Sequence, residues 1–112
     1  MNTKTLLAVT LICLGLSVAA EDRIISLAYE LSLSDFHAPV TQNGGAAFKT
    51  CATCERIIVR VTPATRYSIN GKSVRLEDFR IAVRQASDRD EKDVTVLHHL
   101  ESDTIKSINV SI

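Results

Sequence analysis

Apolar and polar residues alternate cleanly over residues 24–33, IISLAYELSL. Ile25, Leu27, Tyr29, Leu31 and Leu33 fall on one side, and Ser26, Ala28, Glu30 and Ser32 on the other. A period of two with one oily face predicts a half-buried β-strand. The same period returns at residues 55–62, ERIIVRVT, with Ile57, Val59 and Val61 pointing inward and Ile58, Arg60 and Thr62 outward. Pro63 ends that run because proline lacks the ladder donor. In RYSINGKSV, Asn70-Gly71 suits a two-residue type I′ turn. The predicted register sets Tyr67 opposite Val74 and Ile69 beside Lys72. At residues 75–87 the period changes to helical. Leu76, Phe79, Val83 and Ala86 form one stripe, with Glu77 and Asp78 in the first turn and Arg84 near the last, as the helix dipole favours.

SDRDEKD, residues 87–93, reads as a charged, solvated connection. Two alternating runs then follow, VTVLHHL and TIKSINVSI, joined through Glu101-Ser102-Asp103. They predict a C-terminal hairpin. Val94, Val96 and Leu100 share one face, as do Ile108, Val110 and Ile112. Between the first two strands, Asn43-Gly44-Gly45 marks a turn, with short strands expected near Phe36–Val40 and Ala46–Lys49. Strands, one helix and more strands give an α+β class, with a mainly antiparallel sheet and one amphipathic helix packed on it.

The N-terminal stretch MNTKTLLAVTLICLGLSVAA reads differently. Lys4 is a positive n-region, Leu6 to Leu16 an apolar core, and Val18-Ala19-Ala20 a small-residue cleavage site, so residues 1–20 read as a cleaved signal peptide. The apolar run is shorter than the roughly 20 residues that span a bilayer. Cys13 lies inside that run after Ile12, which does not suit lipid attachment. Cleavage leaves residues 21–112, one small α+β domain, in which 12 basic residues face 13 acidic ones. This near-neutral balance argues against a nucleic-acid footprint. The mature chain is expected to be soluble, without a stable membrane span, in the periplasm or secreted, where paired thiols become disulfides.

That context bears on KTCATCERIIVRV, residues 49–61. Cys51 and Cys54 admit three readings. A redox pair needs a helix starting at the motif to hold a thiolate, whereas the following residues alternate as a strand. A metal site needs more ligands, and His37, His98 and His99 are the only histidines. Because His98 and His99 are adjacent on a strand and point to opposite faces, a zinc site would combine Cys51 and Cys54 with His37 and His98. The third reading is a disulfide across a tight turn, which fits the export signal and the strand beyond Cys54.

No G-x-S-x-G elbow, phosphate-cradling glycine loop or H-E-x-x-H is present. Glu77-Asp78 fits a helix first turn, and Asp88, Asp90 and Glu91 a solvated loop. Arg60, Arg66, Arg80 and Arg84 would hold an anion if helix and sheet brought them together. The residues therefore point away from enzymatic function and name no catalytic residue and no cofactor. They favour an exported binding or structural module that meets a protein partner, or self-associates, at a sheet edge. A thiol–disulfide protein is the alternative.

The runs C-A-T-C, R-I-I-V-R-V-T-P-A-T-R-Y, L-E-D-F-R and V-T-V-L-H-H-L-E-S-D resemble small uncharacterised exported proteins of Gram-negative proteobacteria. This implies export and a shared fold. Residues 57–97 also resemble the periplasmic domains of TolR-type biopolymer transport proteins, through I-N-G-K-S-V-R-L-E-D-F-R and V-T-V-L. That resemblance implies a strand–hairpin–helix–strand unit that dimerises and contacts the envelope. The C-x-x-C and the final strand-like T-I-K-S-I-N-V-S-I depart from it.

Overall fold

The computed structural model describes residues 25–112; the proposed signal peptide lies outside them. Eight strands form one curled sheet: β1 (Ser26–Ser32), β2 (Phe36–His37), β3 (Gly45–Lys49), β4 (Arg56–Arg60), β5 (Arg66–Ile69), β6 (Lys72–Val74), β7 (Asp93–His99) and β8 (Thr104–Ser111). One α-helix, α1 (Leu76–Gln85), joins β6 to β7. The order is β1-β7-β8-β4-β3-β2, with β5 pairing both β6 and β8. Most pairs are antiparallel; β8 runs parallel to β4 and to β5.

β8 is the hub because it changes partner along its length. At its start Thr104 pairs with Arg60 of β4. From Ser107 to Val110 it pairs with Arg66 to Ile69 of β5. Meanwhile β7 covers its other side throughout, and the register slips between Leu97↔Ser107 and His98↔Ile105. Lys106 is thus the extra residue of a β-bulge. The bulge resets side-chain phase, so Ile105 and Ile108 both face the core, at 1% and 0% exposure, while Lys106 faces solvent. Alternation alone would have placed Lys106 beside Ile108 and Val110. The Ile105 carbonyl beside the bulge accepts a 2.6 Å hydrogen bond from the buried Thr65 hydroxyl, whose oxygen also accepts from the Thr62 amide.

The β5–β6 hairpin forms with Tyr67↔Val74 and Ile69↔Lys72 as its register requires. Asn70 and Gly71 both have positive φ, 52° and 83°, the geometry a type I′ turn demands. Asn70 also exchanges hydrogen bonds with the backbone of Ile112, and its amide reaches the Val110 carbonyl, so the turn is tied to the end of β8. Ile112 itself lies beyond the strand and is exposed.

The helix packs Leu76, Phe79 and Val83 onto the sheet. Phe79 meets Phe36 edge-on at 6.3 Å and Tyr67 at 5.2 Å, so it bridges β2 and β5. No side chain caps its N-terminus. At its other end the Arg89 guanidinium donates to the Val83 carbonyl, filling acceptors a helix terminus leaves open. The charged 87–93 segment is thus a tether as well as a connection: Ser34 also bonds Asp90. Curling brings Tyr29 of β1 within 5.6 Å of Phe48 of β3, between ring centroids. Gly45 allows Ile58 to lie over β3, since a Cβ there would come within 2.7 Å of the Ile58 Cγ2.

Thr65→Val keeps the shape of the side chain but strips the Ile105 carbonyl of its partner. An unsatisfied buried acceptor costs about 1–3 kcal/mol, and urea unfolding is expected to show that loss. Thr62→Val, at a less buried hydroxyl, is expected to cost under about 1 kcal/mol.

Candidate functional site

The six-residue connection between β3 and β4 carries the two cysteines. Cys51 and Cys54 are joined by a disulfide with Cα atoms 5.0 Å apart. The Cys54 amide donates to the Cys51 carbonyl at 3.1 Å, so the bridge closes a β-turn at the hairpin tip. Cys54 leads within two residues into β4. No helix begins there to stabilise a thiolate. Among the described residues, no three His, Cys, Asp or Glu side chains converge to hold a metal. His37 is an exposed residue of β2, paired with Ala47.

His98 sits elsewhere, on β7, only 9% exposed. Its Nε2 is 2.8 Å from the Asp103 carboxylate and its Nδ1 3.4 Å from the Tyr29 hydroxyl. A carboxylate only accepts, so in the neutral ring Nε2–H donates to Asp103 and Nδ1 accepts from Tyr29. Asp103 holds this position at φ 55° in the turn between β7 and β8. The network fastens β1 to the β7–β8 hairpin. His99 bonds Ser102 at 3.0 Å.

A cleft of about 590 Å³ opens beside β5, lined by Val40, Thr65, Arg66, Tyr67, Arg75 and Leu76 among others. Of the four arginines considered from sequence, Arg66 alone lines it. Arg75 pairs with Glu77 and Asp78 on the surface, so Glu77-Asp78 is a solvated, ion-paired first turn. Tyr67 is 5% exposed and its hydroxyl has no hydrogen-bond partner among the described residues. Burial pushes its pKa from 10.0 up to about 12.

Among the described residues, the most extended unpaired feature is the outer edge of β1. Leu100 N–H donates to the Ile25 carbonyl, and Leu33 N–H to the Lys92 carbonyl, each at 2.8 Å. These bonds flank the β1–β7 ladder at both ends and continue its register, Ser26↔His99 to Ser32↔Asp93. In an antiparallel pair hydrogen-bonded positions alternate. Leu27, Tyr29 and Leu31 therefore bond β7, and the amides and carbonyls of Ser26, Ala28, Glu30 and Ser32 point outward. The other edges are blunted. β2 has two residues, and β6 has three, beginning with Lys72. β1 has seven, with no proline, no lysine and one acid, Glu30. Natural sheets shield edges with short strands, lysine or proline, and β1 uses none of them. Ile25, just before it, and Leu27, within it, are 53% and 38% exposed. Both were expected on the buried face. They project past the core, which only Tyr29, Leu31 and Leu33 of this run reach.

The described residues define a small α+β domain with a disulfide-closed hairpin tip and, among them, one long free sheet edge. No protein-family model, curated protein or solved structure matches the chain. Among the described residues no helix is long and apolar enough to cross a membrane.

Two outcomes follow from this geometry. The folded-state pKa of Tyr67 lies above its unfolded value, so the folded state holds the proton more tightly between pH 10 and 12. The resulting stability is present below pH 10 and falls as pH rises toward 12, by on the order of 1–2 kcal/mol. Tyr67→Phe removes that slope in denaturant titrations, and below pH 10 it matches or exceeds the parent, because it deletes an unpartnered buried hydroxyl. Replacing both Cys51 and Cys54 with serine is expected to cost about 2 kcal/mol, the loop-closure entropy of so short a ring, with the circular dichroism of the fold retained.

Proposed function

We propose that this chain is an exported, non-enzymatic module that engages a protein partner in the cell envelope by strand addition at β1. The observation that carries this reading is the unshielded edge: four residues whose main-chain groups face outward, beside exposed Ile25 and Leu27. Such an edge gives affinity through main-chain hydrogen bonds and specificity through alternate side chains. Export rests on the signal-like residues 1–20 and agrees with the bridged cysteines, since disulfides persist in oxidising compartments. The resemblance to small exported proteins points the same way. In this reading the disulfide braces the hairpin tip and performs no turnover, in keeping with the strand that follows Cys54.

Mass spectrometry of protein recovered from the periplasm is expected to find a chain beginning at Glu21 and lacking both thiol hydrogens. Full-length protein retained in the membrane, or free thiols, would contradict the export assignment. A photo-crosslinking residue at Glu30 is expected to give a discrete envelope adduct, and one at Arg84 on the helix none. Equal labelling from both positions would remove the edge from the account.

A further inference from the structure

We infer that the partner at β1 is a second copy of this chain, paired antiparallel about a two-fold axis through Tyr29. The inference rests on the edge reading above and adds the occupant. Strand β1 reads S-L-A-Y-E-L-S and is nearly the same in either direction. An isologous interface sets each residue opposite its mirror position. Centred on Tyr29, Ser26 faces Ser32 of the copy, Leu27 faces Leu31, Ala28 faces Glu30 and Tyr29 faces Tyr29.

The hydrogen-bond parity fits this register. A bonded pair requires outward-facing groups on both strands. In the Tyr29-centred pairing every outward residue meets an outward residue: Ser26 with Ser32 and Ala28 with Glu30. Four such narrow pairs give about eight main-chain hydrogen bonds, two for each pair. Charge sets the choice among neighbouring registers. Centring on Glu30 would oppose two glutamates at the axis, which is unfavourable for directly facing like charges. Centring on Ala28 shortens the overlap and pairs Leu27 with Tyr29. The Tyr29 centre keeps each Glu30 opposite an alanine and uses all seven residues. It also places the exposed Leu27 opposite Leu31 of the copy.

Ala28 and Glu30 are both exposed and both face the copy, which permits a charge test without disturbing the core. Protein purified from cells expressing the full chain is compared with its Ala28→Lys and Ala28→Glu variants by sedimentation over a range of concentrations. In the Tyr29-centred dimer, Ala28→Lys creates two Lys–Glu pairs and tightens the dimer, whereas Ala28→Glu creates two Glu–Glu pairs and weakens it. Each direction is expected to change the dissociation constant by about 2- to 30-fold, two cross-strand pairs at their usual strength. Weakening by both variants would place Ala28 opposite itself and overturn the register. A parent that stays monomeric at all concentrations overturns self-pairing. If the Glu30 photo-crosslinker still gives its discrete adduct with another protein in that case, the edge reading survives and only the second copy is lost; if it gives none, both fall.

Discussion

The fold depends on how strand β8 divides its hydrogen bonds. Three neighbours share it: β7 along one side, β4 at the start of the other and β5 along the rest. A regular strand making that change would carry Lys106 into the core beside Ile108. The bulge at Lys106 absorbs one residue, restores the apolar phase and leaves Ile105 and Ile108 both inside. Thr65 then supplies the donor that the Ile105 carbonyl takes up. Register is all-or-none in a sheet with one buried face, because a slip of one residue turns every side chain over. The placement of β7 on β8 therefore fixes the face of Val94 and Val96. Through the β1–β7 ladder it also fixes which amides of β1 look outward.

Much of this was legible in the residues. Strong alternation found β1, β4, β7 and β8. The Asn70-Gly71 pair gave the hairpin its register to the residue, because a type I′ turn leaves little choice of loop length. The helical stripe of Leu76, Phe79 and Val83 stood out because its period differs from everything around it. The two cysteines were readable as a turn disulfide, since their spacing and the following strand agreed.

What stayed hidden depended on contacts between distant segments. The Lys106 bulge left only a faint local mark, the three-residue spacing of Ile105 and Ile108 that breaks the period of two; which residue is absorbed is set by the pairing of β8 with β4, β5 and β7. Arg89 looked like one more charge in a solvated loop, yet it reaches back to the Val83 carbonyl at the end of the helix. His98 stood out in the sequence only as a candidate metal ligand, and its pairing with Tyr29, 69 positions earlier, required the β1–β7 register. The edge character of β1 was equally invisible. The run IISLAYELSL predicts a strand with five apolar residues inward. Whether that strand lies in the middle of a sheet or at its rim is set by topology, and here the rim leaves Ile25 and Leu27 in water.

Residue-resolved amide hydrogen exchange reads the outward-facing amides of β1 themselves, because protection reports which amides are bonded within the protein. Slow exchange is expected at Leu27, Tyr29 and Leu31 in dilute protein, alternating with fast exchange at Ala28 and Glu30. Raising the concentration is predicted to slow the second set and leave the first unchanged. Slow exchange at Ala28 and Glu30 in dilute protein, or the opposite alternation, would contradict the free edge of β1.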